Sequence, residues 1–156
     1  MFYRILTFGN GVIQPRGCIF YAFDLVVIMG RTKSVGVAED VLERLKFIRC
    51  KRQEYFICLS LNTCGEIISR RTVTIGTLNS TIVHPREVFV GPLKDRAASV
   101  IVAHNHPSGY AIPSQEDIKT TQQLVAAGMI LGIDLKDHVI VAKDEIFSFR
   151  AHLLIL

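Results

Sequence analysis

One short stretch limits the folds open to this chain more than any other: an apolar run at 99–103 followed at once by His104 and His106. Such a run, bounded by polar residues, indicates a buried strand. Side chains at positions i and i+2 of a strand project from the same face of the sheet. Both imidazoles can therefore reach a single ligand, whereas Asn105 between them points to the opposite face.

The residues after this pair indicate a loop and then a helix. Pro107, Gly109 and Pro113 interrupt regular structure, and a helical pattern begins at Ser114, which places Asp117 one turn inside the helix. Two neutral imidazoles and a carboxylate suit a tetrahedral zinc ion whose fourth position stays open to water, as in catalytic sites. Two other interpretations stay open. Ser114 and Asp117 resemble a helix capping box, and His-x-His pairs also occur as simple hydrogen-bonding groups. Capping and metal binding do not exclude each other.

The full pattern, His104-x-His106-Pro107-x6-Ser114-x2-Asp117, resembles the metal-binding signature of the JAMM (MPN+) metallopeptidases, and its form His-Asn-His-Pro-Ser-Gly resembles the RadC-type proteins of bacteria. The resemblance covers roughly Ser34 to Phe149. It implies an α/β domain of the JAMM/MPN-like (cytidine-deaminase-like) type, with a mixed central sheet flanked by helices, and one Zn2+ per chain held by His104, His106 and Asp117. Further phrases shared with RadC-type proteins are Gly76-Thr77-Leu78-Asn79, Val83-His84-Pro85-Arg86-Glu87-Val88-Phe89, Leu131-Gly132-Ile133 and Asp137-His138.

The length and the hydrophobic periodicity predict one domain. A chain of 156 residues is long enough for a single hydrophobic core. We expect an N-terminal segment of unclear role at 1–33, without a recognisable helix-hairpin-helix, and a RadC-like JAMM/MPN+ domain at 34–156. The predicted element order is α-β-β-α-β-α-β-β. It includes strands at Tyr55–Leu61 and Val139–Ala142, and a helix from Ser114 to about Leu131 that Gly132 ends.

Hydrolysis at such a site needs a general base beside the metal-bound water, and one carboxylate can later act as the acid for the leaving amine. Three glutamates are candidates: Glu54, Glu66 and Glu87. The resemblance selects Glu54, because the family's catalytic glutamate immediately precedes the first core strand. The alternative is that Glu54 has no catalytic role and simply lies at the frayed end of the strand. Glu87 falls in the first turn of a helix, where a carboxylate is expected anyway, and Glu66 falls in a hairpin turn.

Four further polar residues near the motif need an interpretation. Ser114 resembles the family serine that hydrogen-bonds either the developing oxyanion or the metal-bound water. Donors aimed at a developing charge contribute on the order of 3 kcal/mol. His138 is expected to support the site or the fold rather than bind metal. His84 is expected to cap or pack the helix at Pro85, and His152 lies in the C-terminal tail.

Three functions from different classes compete. The first is a zinc-dependent peptidase or isopeptidase, in which a metal-bound water attacks an amide carbonyl with Glu54 as general base and the substrate is a peptide or isopeptide. The second is a nucleic-acid-associated DNA-repair accessory protein of RadC type with a vestigial or structural metal site. The net charge of +4 permits nucleic acid as a partner, but no Lys/Arg cluster supports it. The third, a non-catalytic scaffold, predicts a broken ligand set, and this set is intact. Zinc nucleobase deaminases need a Cys pair that the chain lacks.

Cysteine usage and hydropathy indicate the compartment. Four cysteines without a CxxC spacing predict reduced thiols in a cytoplasmic protein. The apolar stretch at 18–29 is short for a membrane span and carries a charge at Asp24, so no membrane association is expected. The sequence leaves a homo-oligomer open.

Overall fold

The computed structural model describes residues 39–76 and 83–155 as a mixed five-stranded sheet with helices on both faces. The sheet order is β2-β1-β3-β4-β5. The predicted α/β class and the predicted element order are confirmed, while the expected segment 1–33 lies outside the described residues. The elements are α1 (Glu39–Leu45, followed by a 3-10 turn, Lys46–Ile48), β1 (Glu54–Leu61), β2 (Ile67–Gly76), α2 (Pro85–Asp95), β3 (Ser99–Asn105), α3 (Gln115–Leu131), β4 (Asp134–Val141) and β5 (Ile146–Ser148).

The central strand β3 is the apolar run that precedes the histidines. All seven of its residues are buried, as a strand covered on both faces requires. It pairs antiparallel with β1, where Phe56 lies opposite His104, and parallel with β4, where His104 lies opposite Ile140. Helix α3 makes the crossover that a parallel pair needs. The carboxyl end of β3 and the start of α3 therefore meet at one edge of the sheet.

Two hydrophobic clusters, one on each face of the sheet, make up the core. The first contains Val100 and Val102 of β3 together with Phe89 of α2 and Leu124 of α3. The second contains the alternate β3 residues and the buried side of α1 and its 3-10 turn. Since His104 continues the alternation of Val100 and Val102, its side chain faces α3, the helix that carries Asp117.

Helix α3 begins and ends at the predicted signals, and helix α2 begins at the predicted one. Ser114 is the N-cap of α3, and Gly132 closes it in the left-handed conformation at φ 68°. His84 is the N-cap of α2, where its Nδ1 accepts a hydrogen bond from the backbone N–H of Arg86 at 3.3 Å. Pro85 occupies the first helical position, where a backbone N–H would have no partner within the helix, so proline is well tolerated.

Strand β4 begins earlier than the sequence predicts, at Asp134 instead of Val139. The prediction started the strand too late because of Asp137. A charged residue at this position is typical of a loop, but the Asp137 carboxylate is buried within the strand. Its oxygens accept hydrogen bonds from the backbone N–H of His138, the hydroxyl of Ser148 and the backbone N–H of Arg150. Burial raises the pKa of Asp137, although these hydrogen bonds act against the rise. The strand tolerates the charge because all of its partners are in place.

The cysteines differ from one another. Cys50 is an exposed free thiol, and Cys58 is buried in β1, where burial raises its pKa to about 12. The expectation of reduced cysteines agrees with these two free thiols, and the cytoplasmic location that used this expectation stays a prediction. Among the helices in the described part of the chain, none is long and apolar enough to cross a bilayer.

Candidate metal centre

His104, His106 and Asp117 meet where β3 ends and α3 begins. His104 is the last histidine inside β3, His106 follows one residue past the strand end, and Asp117 lies in the first turn of α3. The two Nε2 atoms are 2.9 Å apart. His104 Nε2 is 3.1 Å from Asp117 Oδ1, and His106 Nε2 is 3.5 Å from Asp117 Oδ2. The structure therefore brings the three residues into one cluster that could hold a metal ion, with ligand atoms all within 4.8 Å of one another.

The other nitrogen of each imidazole is occupied by a partner behind the cluster. His106 Nδ1 lies 3.0 Å from the backbone carbonyl of Tyr110 and donates to it, because a carbonyl oxygen only accepts. His104 Nδ1 lies 2.9 Å from His138 Nε2. Both Nε2 atoms are thereby directed toward Asp117. Metal-binding histidines in proteins are oriented by partners of this kind.

The electrostatics of the cluster favour a cation between these residues. Burial acts to raise the pKa of Asp117, but the close approach of the His104 and His106 imidazoles outweighs burial and lowers this pKa well below its usual range. The same carboxylate raises the pKa of His106. His104 is 1% exposed and Asp117 14% exposed at the side chain, so water screens the cluster weakly. The cluster therefore brings one carboxylate and two imidazole nitrogens together, a set of groups that can bind a cation.

Asp117 also belongs to a capping box, so both interpretations of the Ser-x-x-Asp spacing apply. Its Oδ2 accepts from the backbone N–H of Ser114 at 2.7 Å and from the Ser114 hydroxyl at 2.6 Å. Ser114 Oγ in turn accepts from the Asp117 backbone N–H at 3.1 Å. The reciprocal bonds fix the Asp117 side chain at the helix start, and its other oxygen, Oδ1, faces His104.

Glu54 is the first residue of β1 and shares the cleft with the cluster. Phe56 pairs with His104, and their rings are stacked with centroids 5.9 Å apart, so these two side chains are on one face. Positions i and i+2 of a strand share a face. Glu54, two residues before Phe56, is therefore on the same face as His106, two residues after His104. The remaining glutamates, Glu66 and Glu87, do not line this cleft.

Asn105, which the alternation directs to the opposite face, has a structural task that the sequence did not reveal. Its Oδ1 accepts from the backbone N–H of Tyr55 at 2.8 Å. Its Nδ2 donates to the carbonyls of Lys51 and Gln53 at 3.3 and 3.0 Å. Asn105 thus ties the segment that carries Glu54 to the strand end that carries the histidines. The only signal in the sequence was a polar side chain at a buried position.

The remaining histidines lie away from the open side of the cluster. His138 is fully buried behind His104. His84 caps α2, and His152 donates to the Ser148 carbonyl and stacks on Phe147 at 4.1 Å between centroids.

The cluster opens into a cleft of about 630 Å³, within the usual size range of small-molecule and cofactor sites. The opening is surrounded by two cationic side chains, by two acidic residues besides Asp117 and by several polar groups. The lining residues are Arg52, Glu54, Phe56, Val83, His106, Pro107, Ser108, Ser114, Glu116, Asp117, Lys119, Thr120 and Gln123.

A mixed α/β sheet whose edge presents a His-His-Asp cluster beside a cleft is what the sequence resemblance led us to expect, and comparison with known proteins agrees. The family model of the RadC-like JAB domain matches residues 35–154. The chain therefore belongs to the RadC-like JAB domain family. It is 47% identical over 113 residues to UPF0758 proteins of Bacillus cereus (strain AH187), Bacillus anthracis (strain A0248) and Bacillus thuringiensis subsp. konkukian (strain 97-27). Each match covers 72% of this chain and 49% of the relative, so the chain spans about half the length of the curated relatives it matches.

Proposed function

We propose that this chain is a zinc-dependent hydrolase of amide bonds, a peptidase or isopeptidase, with His104, His106 and Asp117 as the metal ligands. The observation that carries the proposal is the convergence of these three side chains beside an open cleft, which His106 and Asp117 line. Two imidazoles and a carboxylate form a donor set typical of catalytic zinc, which keeps a fourth position open.

The spacing of the three ligand atoms suits such an ion. Zinc–nitrogen and zinc–oxygen bonds of about 2.05 Å at tetrahedral angles put neighbouring ligand atoms about 3.3 Å apart. The three separations in this chain are 2.9, 3.1 and 3.5 Å. Zinc bound there would lower the pKa of a water molecule and polarise a carbonyl oxygen. One ion per chain is expected.

Glu54 is proposed as the proton carrier. Its carboxylate starts β1, on the face that it shares with His106, and borders the same cleft. From there it can accept a proton from the attacking water and then give it to the leaving amine, as a single carboxylate can do in two successive steps. The hydrogen bonds of Asn105 hold the backbone on both sides of Glu54.

Ser114 is proposed to stabilise the negative charge that develops on the carbonyl oxygen. Its hydroxyl borders the cleft and donates to Asp117 Oδ2 at 2.6 Å. Because a serine hydroxyl has one proton and rotates freely, it can turn from the carboxylate toward a substrate oxygen. Donors of this kind are worth on the order of 3 kcal/mol in the transition state.

The experiment is a cleavage screen of the zinc-loaded protein against mixed peptides and lysine-linked isopeptides, read by mass spectrometry in water enriched in the heavy oxygen isotope. Hydrolysis must place one solvent oxygen in each new carboxylate. We expect Glu54→Gln to lose at least about a hundredfold in rate and to keep zinc. Glu116→Gln, at an exposed position that borders the same cleft, is the matched control and should keep the parent's rate.

Two results would contradict the proposal. One is the absence of any labelled product from the zinc-loaded parent across both libraries. The other is a Glu54→Gln variant as active as Glu116→Gln, which would mean that a different group moves the proton.

A further inference from the structure

A series of buried hydrogen bonds runs from His104 away from the cleft. His104 Nδ1 lies 2.9 Å from His138 Nε2, and His138 Nδ1 lies 2.6 Å from Thr121 Oγ1. Thr121 Oγ1 donates to the backbone carbonyl of Asp117 at 2.6 Å. The series therefore begins at one member of the His-His-Asp cluster and ends on the backbone of another.

The last bond of the series sets the direction of all the others, because a carbonyl oxygen only accepts. The single hydroxyl proton of Thr121 is used on Asp117, so the shared proton between Thr121 and His138 must belong to His138 Nδ1. A neutral His138 then has its lone pair on Nε2, which accepts from Nδ1–H of His104. His104 is left with a lone pair on Nε2, the atom that lies 3.1 Å from Asp117 Oδ1.

Burial isolates this series from water. His104 and His138 are 0% exposed and Thr121 is 2% exposed. Burial disfavours the charged form of an imidazole, so the fully buried His138 ring is held neutral. The ring is also stacked on Phe149, with centroids 4.7 Å apart. Its orientation is therefore fixed by packing as well as by hydrogen bonds.

We propose that Thr121 and His138 are positioning residues that hold His104 in the tautomer protonated at Nδ1 and direct its Nε2 lone pair into the metal site. The proposal rests on the proposed function for the identity of the ion, but the tautomer is a property of the metal-free chain. Loss of a hydrogen bond behind a metal-binding histidine typically weakens metal affinity by about 10–100-fold.

The first experiment reads the tautomers of metal-free protein at neutral pH, through long-range proton–nitrogen NMR correlations of isotope-labelled histidine. We expect the proton on Nδ1 of both His104 and His138 in the parent and in Thr121→Ser, which keeps the hydroxyl. Thr121→Val has nearly the same volume but no acceptor, so a measurable fraction of His138 should carry its proton on Nε2. If His138 of the parent protein carries its proton on Nε2, the proposal is overturned, whether or not the valine variant folds.

The second experiment titrates zinc in competition with a chelating dye. Thr121→Val should bind zinc about tenfold or more weakly than the parent, and Thr121→Ser within about twofold. Equal affinities of the parent and Thr121→Val would overturn the proposal and leave the zinc site itself intact. A parent that takes up no zinc would instead contradict the proposed function, and the tautomers of the metal-free protein would then decide this proposal alone.

Discussion

Replacement of Asn105 by alanine should destabilise the domain more than its small change in volume suggests. The side chain is 1% exposed and makes three hydrogen bonds to the backbone at Tyr55, Lys51 and Gln53. Asn105→Ala leaves one N–H and two carbonyls without these partners. At about 1 kcal/mol for each lost bond, we expect the free energy of unfolding to fall by about 2–4 kcal/mol, a large part of a typical total of about 5–15 kcal/mol.

Asn62 provides a matched control within the same chain. Its side chain also makes three hydrogen bonds, to Cys64 N, Glu66 N and Glu66 Oε2, but in a turn that water reaches. Water can replace these partners, so Asn62→Ala should cost about 1 kcal/mol or less. Urea unfolding followed by circular dichroism measures both variants. Zinc stoichiometry of the folded Asn105→Ala protein should equal the parent's, because Asn105 points away from the histidines.

The reasoning on Asn105 would be refuted by equal losses of stability in Asn105→Ala and Asn62→Ala. It would also be refuted if Asn105→Asp were as stable as the parent. Aspartate keeps an acceptor for the Tyr55 N–H, but it places a charged oxygen against the carbonyl of Gln53, to which Asn105 now donates at 3.0 Å.

Two further substitutions test the packing and the electrostatics of the fold. A glycine-to-alanine change inside a helix normally stabilises the helix by about 1 kcal/mol. In Gly128→Ala, however, the added carbon would lie 2.5 Å from the backbone oxygen of Ile133, so we expect a lower melting temperature. A higher melting temperature would show that this contact relaxes. Hydrogen bonds from Arg71, and after it from Ser69, lower the pKa of Asp95 in the folded state. The Asp95 carboxylate therefore makes its full contribution to stability above the unfolded-state pKa of about 3.9. This contribution is lost as the pH falls below that value toward the folded-state pKa. The stability difference between the parent and Asp95→Asn, measured by urea unfolding, should therefore shrink below about pH 4, and a constant difference would contradict the ion pair's role.

The elements of the fold were predictable because their signals are local. Three such signals are the apolar run of β3, the cap residues Ser114 and Gly132, and the hairpin turn at Glu66. Each depends only on residues that are close to it in the sequence. The same holds for the histidine pair, since strand alternation alone directs His104 and His106 to one face. These predictions needed no knowledge of which strands are neighbours.

The supporting contacts were not predictable because they join residues far apart in the chain. Asn105 reaches Tyr55 across 50 positions, and His104 reaches His138 across 34 positions. Each depends on the register between strands, which the pattern of a single strand does not specify. Asp137 misled the prediction of β4 for the same reason, since its partner Ser148 belongs to another strand. His138 was expected to be a supporting residue, but Thr121 carried no signal at all.

The metal content of the purified, untagged protein tests the central claim most directly. Elemental analysis should find about one zinc per chain in the parent and in Glu116→Ala, whose side chain is exposed beside the site, and almost none in Asp117→Ala. Retention of stoichiometric zinc by Asp117→Ala would contradict the ligand assignment. A parent with no metal, and none taken up when zinc is supplied, would contradict the hydrolase itself and favour an accessory role for the domain.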